Sequence, residues 1–173
     1  MKMRLFVTAM AALITSVAFA YEPVLSLKAD LDAVVSSGVV TPVDGITAAG
    51  QPDEAALKVF AERGYTTVID LRTAGEDRGM DEPAVVESLG MDYVSLPIGR
   101  DSITYDSARK LDALIRDADG PVLVHCGSSN RVGALLALRK SLAGADDDDA
   151  LAYGKDGGLS SLEGRVKEVL AED

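Results

Sequence analysis

The stretch Val122–Leu138, VLVHCGSSNRVGALLAL, contains the chain's only cysteine and its only histidine. An apolar run of strand length, PVLVH at Pro121–His125, enters a short polar loop. The loop then enters an apolar run of helix length, Arg131–Leu142. A short, continuous apolar run rich in valine fits a strand buried on both faces. A helix with little polar surface fits a place at the centre of the molecule. The unit therefore predicts a parallel sheet, with a polar loop just beyond the carboxyl end of its central strand.

Toward the N-terminus, Ile46–Ala49 reads as a short strand ended by the turn residues Gly50-Gln51-Pro52. Asp53 caps a helix through about Arg63, closed by Gly64. TTVIDL (Thr66–Leu71) is a β-branched strand, Asp81–Leu89 a helix closed by Gly90, and Asp92–Pro97 another strand. Tyr105–Asp117 is an amphipathic helix, with Leu111, Leu114 and Ile115 on one side. Toward the C-terminus, Asp146–Asp149 marks a helix start and Leu162–Leu170 a last helix. Strands that alternate with helices of this length predict one α/β domain with a central, mainly parallel sheet flanked by helices. No repeat or linker divides Tyr21–Asp173, and Tyr21–Pro42 fits the pattern only as a cover for one sheet edge.

Met1–Ala20 has the pattern of a secretory signal peptide, with basic Lys2 and Arg4, an apolar segment and an Ala18-Phe19-Ala20 cleavage site. The expected mature protein is Tyr21–Asp173, periplasmic in a bacterium, with no membrane contact after cleavage. The chain carries a net charge of −11, and loss of Lys2 and Arg4 makes it more acidic still. That balance argues against nucleic-acid partners, which need clustered Lys and Arg. The expected partner, a small anionic or phosphorylated substrate, has to be held by a local positive site working against that overall field, and the oligomeric state is left open. A single cysteine forms no disulfide within the chain. One cysteine and one histidine are too few for a Cys/His zinc site, so no metal or other cofactor is expected.

The loop itself predicts an anion site. Gly127, Ser128, Ser129 and Asn130 are small or turn-forming, which lets successive backbone N–H groups point inward. The helix that follows adds its positive end, and Arg131 adds a planar fork of donors. A cysteine in such a field is favoured as thiolate and is a candidate nucleophile. His125, next to it on a strand, faces the opposite side of the sheet and is not its base.

HCGSSNR resembles the signature loop of cysteine-dependent protein phosphatases, which sits on a strand–loop–helix. The wider order AAGQPDEAAL, VIDLRTAGE, YVSLPI and VHCGSSNRVGALLAL resembles a bacterial family, the phosphatase-like domain of β-lactamase-hydrolase-like proteins. The likeness covers Ile46–Leu142, and implies a dual-specificity-phosphatase-like fold and hydrolysis of a phosphomonoester through a Cys126 thiophosphate. Two features depart from the phosphatase signature. Four residues stand between Cys126 and Arg131, one fewer than usual, and Val132 replaces the hydroxyl residue that normally follows the arginine. The short spacing also resembles rhodanese-type sulfurtransferases, whose cysteine carries a persulfide. A module that binds an oxyanion without turnover is a third possibility.

The resemblance implies further roles. Asp101 follows the strand that ends at Pro97 and resembles the acid-bearing position of dual-specificity phosphatases, with Asp106 as its rival. Arg72 and Glu76 follow the strand that ends at Leu71 and form the family-like LR-x-x-x-E pattern, which implies a structural or substrate-lining role and puts Arg72 among the expected substrate-binding residues. Ser128 and Ser129 are candidates to assist an intermediate in place of the missing hydroxyl. Asp146–Asp149 lacks the glycine and glutamate of a calcium loop. GLSSLEG is not a nucleophile elbow, because no apolar strand precedes it.

Overall fold

The computed structural model describes residues 40–43 and 46–172. The expected signal peptide, and most of the weakly assigned segment after it, lie outside the described residues. The elements run in the order β1 (Val40–Val43), β2 (Ile46–Ala49), α1 (Glu54–Glu62), β3 (Thr67–Asp70), α2 (Glu82–Ser88) and β4 (Asp92–Ser95). A 3₁₀ turn (Arg100–Ser102), α3 (Tyr105–Asp117), β5 (Val122–His125), α4 (Asn130–Leu142), α5 (Asp147–Asp156) and α6 (Glu163–Leu170) complete them.

One sheet has the order β1-β2-β5-β3-β4. β2, β5, β3 and β4 run parallel, and β5 is central between β2 and β3. β1, which the sequence pattern did not reveal, pairs antiparallel with β2 at the edge. Its Pro42 lacks a ladder donor, and an edge strand tolerates that loss.

Alternation along β5 assigns its two faces. Val122, Val124 and Cys126 join a core with Ile69, Leu71 and residues of α3, α4 and α6. Leu123 joins a second core with Val68 and with Leu57 and Phe60 of α1 and Val86 of α2. The helices start where the sequence supplies caps: Asp53 accepts from Ala56 N at 2.8 Å, and Asp146 from Asp149 N at 2.9 Å. Val132–Leu138 are buried all round, which makes α4 the central helix. Gly133 allows this burial, because a Cβ there would lie 2.2 Å from Leu159 N and 2.4 Å from Gly154 O.

Candidate active site

β5 ends at His125, and the next residues are stitched to the β2–α1 connection. Cys126 N donates to Ala49 O at 3.3 Å, Gln51 N donates to Gly127 O at 3.3 Å, and Gly50 bridges Ser128. Ser129 then turns the chain with a φ of 64°, the one non-glycine residue in the left-handed region among those described. α4 begins at once, with Gly133 N donating to Ser129 O at 2.9 Å. The first amides of α4 have no carbonyl within the helix to bond, so they face the loop with the helix's positive end. Cys126 is a free thiol, 1% exposed, at the base of this turn.

Arg131 is held from the opposite side. Its Nη1 and Nη2 donate to the two oxygens of Glu76 at 2.7 and 2.6 Å, a bidentate pair. Nη1 also reaches Ile98 O at 3.1 Å and Leu71 O at 3.4 Å. Glu76 is fixed in turn by Thr73, whose N and Oγ1 donate to it at 2.8 and 3.0 Å. The Arg131 bonds outweigh desolvation and hold the Glu76 carboxyl down to about 2. Arg131 is pushed further toward its charged form, first by Glu76 and also by the neighbouring Cys126. Its Nη2 lies toward the loop, since a Cβ on Gly127 would be 3.8 Å from it. A cleft of about 400 Å³ opens over this group, lined in part by Thr73, Glu76, Arg100, Ser128, Arg131 and Leu162.

Residues 38–143 match the family described as "Beta-lactamase hydrolase-like protein, phosphatase-like domain". The chain belongs to this family. Its curated relatives include β-lactamase hydrolase-like proteins of Xylella fastidiosa, 35% identical over 111 residues, and Agrobacterium fabrum, 31% identical over 103 residues. Those matches cover 60% and 57% of this chain but 26% and 24% of the relatives, so the chain spans about a quarter of their length. A solved structure of a candidate phosphatase from Neisseria meningitidis shares the fold, with a TM-score of 0.65 at 20% identity. That match covers 75% of this chain and 97% of the other.

Within this phosphatase-like domain, the expected site residues divide into two groups. Cys126, Gly127, Ser128, Arg131 and Glu76 come together around the loop. Asn130 also borders the cleft, but the polar side-chain atoms of Ser129 and Asn130 bond elsewhere. Ser129 Oγ donates to Gly157 O at 2.8 Å, and Asn130 Oδ1 accepts from Ser160 N at 2.8 Å. Asp101 is exposed on the 3₁₀ turn at the same carboxyl edge of the sheet. Asp106 is exposed in the first turn of α3 and pairs with Arg109 at 2.9 Å.

Arg72 is a correction, because it does not line the cleft. It is 1% exposed, and its Nε donates to Asp70 Oδ1 at 2.9 Å while its Nη2 bonds Glu82. Strand alternation puts Asp70 on the α1/α2 side of the sheet, opposite Cys126, and Arg72 follows its partner. His125 lies on that side too, with Nε2 2.7 Å from Glu82 Oε1. Desolvation pushes its imidazole down to about 4 against the opposing pull of Asp70. Burial alone would raise Asp70, yet bonds from Arg72 and Tyr93 hold its carboxyl well below the usual range. Asp70, Glu82 and His125 have metal-ligand atoms within 4.8 Å of one another. Arg72 bonds both carboxylates and Arg78 Nε bonds Asp70 at 3.0 Å, so positive charge is already supplied and the cluster does not fit a cation.

Sequence reasoning missed Thr73, Arg100 and the turn at Ser160–Leu162. Thr73 and Arg100 carry no motif of their own. Gly157-Gly158 is a turn-forming pair, but nothing local says what such a turn touches.

Proposed function

We propose that this domain is a cysteine-dependent phosphatase acting on a small phosphomonoester. The observation that supports it best is Arg131, fixed by the bidentate bonds of Glu76 beside Cys126 and the start of α4. Glu76 supplies the counter-charge that a guanidinium at a helix N-terminus needs and fixes the plane of the fork beside the thiol. Here the fork is oriented before any ligand arrives, as stabilisation of a charged transition state requires.

In the proposed reaction the Cys126 thiolate attacks phosphorus, forming an S–P bond as the P–O ester bond breaks. Arg131 and the backbone amides of Gly127–Asn130 hold the non-bridging oxygens. Asp101 gives its proton to the departing oxygen and then takes one from the water that attacks phosphorus. The S–P bond breaks, and phosphate leaves with the thiolate regenerated. Asp101 is preferred to Asp106, whose carboxylate already bonds Arg109. The reading needs no metal or other cofactor. The proposal includes export to the periplasm, removal of Met1–Ala20, and a partner range restricted to small anionic or phosphorylated molecules.

Hydrolysis of p-nitrophenyl phosphate by the reduced wild-type protein and by Cys126→Ser tests the reading. The expected result is turnover that vanishes in the serine variant while vanadate still binds, because the amides and Arg131 remain. A serine variant that keeps wild-type turnover would sink the assignment.

A further inference from the structure

We infer that the turn Gly157–Leu162, between α5 and α6, belongs to the active site, where it positions the anion loop through Asn130 and Ser129. The inference rests on the phosphatase reading above and concerns what holds that loop in shape. The turn lies beyond residues 38–143, the part that matches the family.

Asn130 is the first residue of α4, directly before Arg131, and three atoms of the turn bond its side chain. Oδ1 accepts from Ser160 N at 2.8 Å and from Leu162 N at 3.3 Å, and Nδ2 donates to Ser161 Oγ at 2.7 Å. An asparagine side chain offers two lone pairs and two N–H donors, so three of its four possibilities are spent on one turn. Ser129 is held by the same turn from a buried position. Its Oγ donates to Gly157 O at 2.8 Å, while its own backbone occupies the left-handed region that side chains disfavour. Gly158 makes room for it: a Cβ there would lie 2.6 Å from Ser129 Cβ.

Both residues that link Ser128 to Arg131 are therefore fixed through their side chains to one short segment. The segment also reaches the cleft itself, and the helix that follows it reaches the neighbouring connection. Leu162 lines the cleft, and Arg165 Nη2 in α6 donates to Ile103 O at 3.2 Å, just after the 3₁₀ turn that carries Asp101. Backbone amides stabilise a developing charge only if their directions are set in advance. A loop of four small residues has little internal means of setting them, and the Gly157–Leu162 turn supplies it from outside. Asn130 lies at the edge of the cleft, but the polar atoms of its side chain, like Ser129 Oγ, are spent on the turn, so both act as positioning residues.

The test compares wild type, Asn130→Ala and Ser161→Ala by vanadate inhibition, kcat/KM for p-nitrophenyl phosphate, and Tm. Asn130→Ala is expected to weaken vanadate binding and lower kcat/KM together, by about tenfold or more, as a small misplacement of catalytic groups does. Ser161→Ala removes one bond from an exposed hydroxyl, leaves Tm in place, and is expected to lose a smaller part of both. If Asn130→Ala fails to fold, Ser161→Ala carries the test. Wild-type vanadate affinity and kcat/KM in every folded variant would overturn the inference and leave the phosphatase reading standing. A wild-type protein that neither turns over nor binds vanadate would overturn that reading, and this inference with it.

Discussion

Arg131 and Glu76 form a pair whose proposed catalytic effect can be separated from its structural one. Glu76 is 35% exposed and Arg131 17% exposed in their side chains, so the pair stabilises the fold by no more than about 1 kcal/mol. Its effect on direction is larger, because two short bonds fix the plane of the guanidinium. Glu76→Gln is therefore expected to leave Tm nearly unchanged while kcat/KM falls, by up to about 100-fold if the fork moves by an ångström. A variant that loses Tm without losing kcat/KM would show that the pair is a structural brace only. The sequence made Arg131 readable, since a cation at a helix start asks for an anion. It left Arg72 ambiguous: two residues past a strand end, an arginine can face cleft or core. Its buried partner Glu82 lies ten residues away on another element, where no local pattern connects them.

The strand–loop–helix unit was legible because its periodicity has a single physical solution. An apolar run of strand length has to be covered on both faces, and alternation then sends Cys126 and His125 to opposite sides. Its neighbours β2, β3 and β4 were legible for similar reasons, though the structure trims TTVIDL to Thr67–Asp70 and Asp92–Pro97 to Asp92–Ser95. β1 was not, because a four-residue edge strand containing proline has no alternation to read. The contact of α4 with α5 was also invisible, since a glycine within an apolar helix does not name its neighbour. Gly133→Ala tests that contact. The obstructing atoms are backbone, Leu159 N and Gly154 O, so neither can swing aside. The expected loss of stability is about 3 kcal/mol or more, at the upper end of overpacking, read by urea denaturation. An unchanged midpoint would mean that the α4–α5 packing is looser than described.

Taken together, the charges predict how the molecule responds to acid. His125 titrates at about 4 in the fold and at 6.5 when free of it, so the unfolded chain takes up the proton first as pH falls. Its contribution is complete above 6.5, is lost between 6.5 and about 4, and changes no further below that. The loss amounts to a few kcal/mol, at about 1.4 kcal/mol for each pH unit separating the two values. Asp70 and Glu76, both depressed, extend the decline to lower pH. Unfolding measured across this range is expected to show falling stability from pH 6.5 downward, with a flatter slope in His125→Gln. A parent and variant with the same slope would show that His125 is not the group responsible.

The acidic balance bears on function as well. A net charge of −11 repels anions at a distance, so the proposed anionic substrate would depend on the local field of Arg131, Arg100 and the α4 amides. What chemistry follows binding turns on the species attached to Cys126. The decisive measurement is the intact mass of the protein after rapid acid quench during turnover of p-nitrophenyl phosphate, with peptide mapping to Cys126. The account predicts one added phosphoryl group on Cys126 in wild type and none in Cys126→Ser. Turnover with no phosphoryl group on Cys126 at any quench time, or a sulfur atom there after incubation with thiosulfate and no turnover of the ester, would contradict it.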